Sequence, residues 1–224
     1  STNNGKIKEY PSFYLVLLTI AESEMIENDI LANNPLWVVD VGARGGVHSR
    51  WAKFTSSYKG ILFEPDPHEY EILKLKGGKN LIVINSGLSE SPGTLELHLC
   101  RNPGNSSIYN PNMTVLNKFS DVKRYDVMEK IGIKADTLNS QLKKNDIYEV
   151  DFMKIDTQGY ELSILKGSDD YLDKIICLEL EVEFVQLYEK QPLFGEVDSF
   201  VQGHAFELFD IRRYLQRKKR VHRT

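Results

Sequence analysis

The sequence has little cysteine, no long apolar run and no excess of positive charge. Its 224 residues hold two cysteines, Cys100 and Cys177, far apart and each inside a strand-like apolar run. With no Cys-x-x-Cys pair and no Cys/His cluster, the chain carries no zinc-site spacing. The two thiols read as reduced core residues. The longest apolar stretch near the start, Phe13 to Ile20, is eight residues long and contains Thr19. That is too short to cross a bilayer. No basic segment leads into an apolar core at the start, so no secretory leader is expected and cytoplasmic residence is. A formal charge of −4 argues against a nucleic-acid partner. The glycines form neither the dinucleotide fingerprint G-x-G-x-x-G nor a phosphate loop ending in Gly-Lys-Ser or Gly-Lys-Thr.

What is present suits one α/β domain. Hydrophobic residues make up 41% of the chain and charged residues 27%, enough for a core under an ordinary polar surface. The stretch Val38-Val39-Asp40-Val41-Gly42-Ala43-Arg44-Gly45-Gly46-Val47 organises the rest. Its apolar, β-branched start suits a strand buried on both faces. It then breaks into a Gly-rich turn ahead of a predicted helix, the arrangement with which α/β sheets bind nucleotide-like ligands. Glu64, ending the run Ile61-Leu62-Phe63-Glu64-Pro65, lies 24 positions after Asp40. That is close to the roughly 20-residue spacing at which an acid meets ribose hydroxyls.

Three regions follow. Residues 1–35 read as an N-terminal helical extension, stopped by Asn33-Asn34-Pro35. Residues 36–211 read as the catalytic domain, and 212–224 as a basic tail. Strands are predicted at Trp37–Val41, Ile61–Glu64, Leu81–Asn85, Phe152–Asp156, Ile175–Phe184 and Phe206–Ile211. A first helix starts over Val47–Phe54, and Asp66-Pro67 opens the next as N-cap and N1. Thr94 to Leu99 alternates polar and apolar residues and pairs with Tyr125–Ala135 as an antiparallel insertion. Tyr109 to Lys123 is polar and irregular, and is expected to be a mobile excursion near the site.

The loop Val39 to Gly46, the run Phe63-Glu64-Pro65, the segment Lys154-Ile155-Asp156-Thr157-Gln158-Gly159-Tyr160-Glu161 and the runs Glu181–Phe184, Leu187-Tyr188 and Gln191–Phe194 together resemble the FkbM methyltransferase family. The resemblance covers roughly Leu36 to Ile211. It implies a Rossmann-like class I methyltransferase fold: a mostly parallel central sheet with helices on both faces, plus an inserted antiparallel hairpin. It also implies S-adenosylmethionine as methyl donor. The expected acceptor is a hydroxyl of a sugar, glycoconjugate or related small molecule. Such folds add a seventh, antiparallel strand after the sixth. Here Ile211 runs into Arg212-Arg213-Tyr214-Leu215-Gln216-Arg217-Lys218-Lys219-Arg220, so that strand is expected to be missing, replaced or cut off.

On this resemblance Asp40, Gly42, Ala43 and Gly45 contact the methionine part of the cofactor, and Glu64 the ribose. Ser86 and Gly87 face the adenine edge. Ser106 and Ser107 either close over the cofactor or merely form a turn. Asp156 is the first candidate for base, for cofactor contact, or for ligand to a divalent cation, Mg²⁺ or Mn²⁺; as Asp it also suits a helix cap. Glu179, Glu181 and Glu183 alternate along one strand and share a face. Glu181 and Glu183 are the second candidates for base or metal ligand, and Glu179 suits a salt bridge. His204 is the one histidine with a candidate acid/base role. Arg44 pairs either with the cofactor carboxylate or with Glu64. The basic tail is a solvated segment or a docking site for an anionic surface. Alternative readings are N-methylation, nucleic-acid methylation, or a non-catalytic S-adenosylmethionine-binding module. No Asn-Pro-Pro-Tyr-type motif for flipped bases stands at the fourth strand. Oligomeric state is left open.

Overall fold

The computed structural model describes residues 33–48, 51 and 57–212. The N-terminal extension up to residue 32, most of the predicted first helix and the tail beyond Arg212 lie outside the described residues. The central sheet is parallel, with strand order β3-β2-β1-β7-β8. Its strands are β1 (Leu36–Val41), β2 (Tyr58–Phe63), β3 (Leu81–Ile84), β7 (Phe152–Ile155) and β8 (Cys177–Leu180). Near-continuous apolar runs make these strands because both faces are covered. Val39, Val41, Ile61, Phe63, Met153 and Ile155 point to the larger core. Helices α3 (Leu138–Lys144), α4 (Glu161–Lys166), α5 (Asp169–Leu172) and α6 (Phe194–Gly203) close that core. On the other face Leu62 meets Ala43 and Leu73, the latter from α1 (Pro67–Lys76).

Helix α1 begins as expected. The Asp66 side chain accepts from the His68 N–H and Pro67 occupies the first turn. The insertion also forms. Strands β5 (Gly93–Cys100) and β6 (Val127–Asp136) pair antiparallel, and the two-residue β4 (Gly87–Leu88) joins β6 in parallel.

Several expectations are corrected. The fifth predicted strand pairs only over Cys177–Leu180, which leaves Glu181 and Glu183 in the loop beyond it. Cys177 is exposed rather than in the core. Phe206 to Ile211 is not a strand. Helix α6 ends with Ala205 at φ 62° and the Phe206 N–H bonded back to the Val201 carbonyl. This closure turns the chain out of the helix and seats Phe206 on the core. Leu208, Phe209 and Ile211 are then exposed. The segment Tyr109 to Lys123, expected as a mobile excursion, contains α2 (Met113–Leu116) and packs on its own small core of Leu116, Tyr125, Leu187 and Tyr188.

Candidate active site

A cavity of about 360 Å³ opens at the C-terminal ends of β1, β2 and β7, where open α/β sheets bind ligands. Its floor is the glycine turn. Gly42 sits at φ 78°, and a Cβ there would meet the backbone oxygen of Asp156 at 2.1 Å. The position therefore excludes any side chain on space as well as on conformation. The turn is gripped from α1. Glu69 accepts the Gly45 N–H at 3.0 Å and the Arg44 guanidinium at 3.1 Å, while Asp66 takes the other arm of Arg44 at 2.6 Å. Arg44 is thus paired with Asp66 and Glu69 and not with Glu64.

Beyond β2, Glu64 faces the cavity with one carboxyl oxygen accepting the Asp66 N–H at 3.0 Å. Burial pushes Glu64 up to about 7, against the opposing Asp66 N–H and Arg44 charge. Its second oxygen accepts no hydrogen bond among the described residues, and is placed for a hydroxyl donor. Ser86 and Gly87 form the adjoining wall. Leu95, Leu97 and Ile133 of the inserted hairpin, with Ile108, form an apolar roof that the sequence reading missed.

Register explains the charged wall. Asp40 of β1 pairs with Lys154 of β7, and Lys154 with Glu179 of β8, so the three side chains lie in one row on one face. Lys154 Nζ sits 3.1 Å from Asp40 and 3.6 Å from Asp156. Burial raises Asp40 to about 6, with Lys154 pulling the other way. Lys154, supplied by the neighbouring strand, is therefore a cation on Glu179's face.

Asp156 follows β7 and lines the cavity with Thr157, Gln158 and Tyr160. It does not cap the next helix, because α4 starts five residues later. The helix start has no side-chain cap; Glu161, its first residue, instead holds the preceding turn, its carboxylate accepting the Thr157 N–H, the Thr157 hydroxyl and the Gly159 N–H at 2.9–3.1 Å. Burial still pushes Glu161 up to about 7. Glu181 and Glu183 sit behind this turn, hydrogen-bonded by Gln158 and Gln191 respectively.

Of the sequence candidates, Asp40, Gly42, Glu64, Ser86, Gly87 and Asp156 line the cavity. Ala43 is fully buried in the core, and Gly45 is spent on Glu69. Ser107 donates to the Gln158 carbonyl at 2.8 Å, so it builds the wall from behind; Gly46 and Ser106 line in their place. His204 stands at the end of α6, stacked on Phe200 and 3.8 Å from Asp173, away from the cavity. Among the described residues no group of three or more His, Cys, Asp or Glu side chains is disposed to hold a metal ion. The divalent-cation alternative for Asp156, Glu181 and Glu183 therefore finds no support among the described residues.

The sheet order, the glycine turn and the acid after the second strand define a Rossmann-like methyltransferase fold. The sequence model of the methyltransferase FkbM domain matches residues 40–208, and the chain belongs to that family. It is similar to the methyltransferase sdnD of Sordaria araneosa, with 25% identity over 201 residues that cover 80% of this chain and 76% of that protein. No solved structure matches.

Proposed function

We propose that this methyltransferase uses S-adenosylmethionine to methylate a hydroxyl of a sugar, glycoconjugate or related small molecule. Family membership implies the donor. The observation that carries the reading is the joint placement of Gly42, Glu64 and Asp156 around one cavity. When bound, the donor supplies an activated methyl group on a sulfonium centre. The chain's own residues do the remaining work. Gly42 lets the Asp156 backbone pack against the turn and so brings the two strand ends together at the ligand, Glu64 accepts ribose hydroxyls, and the hairpin roof excludes water. Asp156 takes the proton from the acceptor hydroxyl as it attacks. The narrow acid-lined wall favours a neutral acceptor over an anionic one.

Calorimetry tests the donor. S-adenosylhomocysteine is expected to bind and NAD is not; tight NAD binding without a response to S-adenosylhomocysteine would overturn the reading. Glu64→Ala is expected to weaken S-adenosylhomocysteine binding by about 1.5–3 kcal/mol, the range for hydrogen bonds to charged groups.

A further inference from the structure

Asp156 and Glu181 leave the sheet at equivalent points. Strands β7 and β8 pair in parallel with Ile155 opposite Leu180, and the next residue of each strand carries a carboxyl group. The Glu181 N–H bonds the Ile155 carbonyl at 3.0 Å, which fixes the second chain against the first. The two carboxyl groups are drawn to one donor, since both accept from the same Gln158 amide nitrogen. Gln158 straps them together. Its amide nitrogen donates to Asp156 Oδ1 at 3.3 Å and to Glu181, while its amide oxygen faces the buried Tyr188 hydroxyl at 2.8 Å. Ser107 holds the Gln158 backbone carbonyl, and the residue is kept at φ 57°. A side chain in the left-handed region persists only where its surroundings over-determine it.

Two carboxyl groups gathered on one amide nitrogen disfavour each other's charge, so the pair favours a shared proton. The surroundings decide which group holds it. The Asp156 side chain is 40% exposed and has Lys154 Nζ at 3.6 Å. Glu181 does not line the cavity and meets no cation among the described residues. The groups facing it are acids: Asp156 on the neighbouring strand end, Glu161 from α4 and Glu183 from its own loop. Farther along the row stand Asp40, Lys154 and Glu179.

We infer that Asp156 and Glu181 form one acid pair whose proton is held on Glu181, with the Asp156 carboxyl group turned to the cavity. Burial, then Asp156 and the neighbouring acids, all push Glu181 upward. The pair's role, though not its existence, rests on the proposed methyl transfer. The acceptor oxygen forms its bond to the methyl carbon, the carbon–sulfur bond breaks with its electrons left on sulfur, and the hydroxyl proton passes to Asp156. The pair is then neutral with two protons, and one leaves to water through the cavity mouth. Glu181 is a positioning residue: it limits the pair to one negative charge and fixes where that charge lies.

Carbon-13 NMR of the full chain, labelled at the glutamate carboxyl carbon, tests this without donor or acceptor. Its failure is therefore distinct from a failure to bind S-adenosylhomocysteine. Ordinary glutamates ionise near 4.3, and Glu64, Glu161 and Glu183 are pushed up to about 7; beyond these, one further resonance is expected to be still a neutral acid at about pH 8.5, a rise of about four pH units or more. Glu181→Gln removes that resonance. Asp156→Asn, which removes the adjacent charge, lowers its midpoint by about one pH unit or more and assigns it even if Glu181→Gln does not fold. No glutamate protonated at that pH, or a midpoint indifferent to Asp156→Asn, overturns the inference.

Discussion

The carboxyl of Asp156 is the group whose loss separates chemistry from binding. Asp156→Asn keeps the shape and much of the hydrogen bonding at the cavity wall but removes the charge. With a panel of hydroxyl acceptors, kcat is expected to fall by about 10²–10⁴-fold, while S-adenosylhomocysteine affinity stays close to that of the unaltered chain. A variant with full kcat would place the base elsewhere. Asp40, Gly42, Glu64 and Asp156 were legible because each stands at or just beyond the C-terminal end of a strand, and ligand sites gather there. Lys154 and Gln158 were not. Lys154 meets Asp40 across 114 positions, and only strand register brings them together. Gln158 owes its place to a left-handed backbone and to Tyr188, thirty residues on. Glu69 gives no sequence signal either, since an acid in a first turn reads as a helix-dipole partner.

At the scale of elements, the longer paired strands were legible, while the two-residue β4 was not, and one segment with strand-like residues found no partner. The hairpin β5–β6 follows its alternation closely. The predicted sixth strand has equally suitable residues, yet a helix closure at Ala205 and Phe206 takes its first position. Propensity proposes a strand, but pairing makes it. Phe209 is fully exposed. Phe209→Ser is therefore expected to change stability by no more than about 0.5 kcal/mol in urea denaturation. A loss of about 3 kcal/mol or more, the cost of truncating a core phenylalanine, would show that this segment is packed.

For the whole molecule, the acids about the cavity set the pH dependence of folding. Burial raises Glu64, Glu161 and Glu183 from 4.5 to about 7 and Asp40 from 3.8 to about 6. The folded state therefore binds more protons than the unfolded chain across that interval. Stability declines as pH rises from the unfolded values toward 7, and goes on declining above it for as long as Glu181 keeps its proton. Asp136 works in the opposite sense at lower pH. Burial would raise it, but bonds from Lys144, the Thr137 N–H, Ser140 and Gln141 hold it below its ordinary value. Its contribution is complete above 3.8 and is lost as pH falls through the folded value. The melting temperature is expected to be higher at about pH 5.5 than at about pH 8. A higher melting temperature at pH 8 would show that these acids are paired or solvated.

The turn from Asp156 to Glu161 has a further consequence, for heredity. Glu161 ties down Thr157 and Gly159, Ser107 ties down Gln158, and the Asp156 backbone fills the space above Gly42. Each tie depends on how many residues separate its ends. One codon gained or lost there would break the helix start, the wall and the floor at once. This stretch can drift in composition where its side chains face outward, but it cannot drift in length.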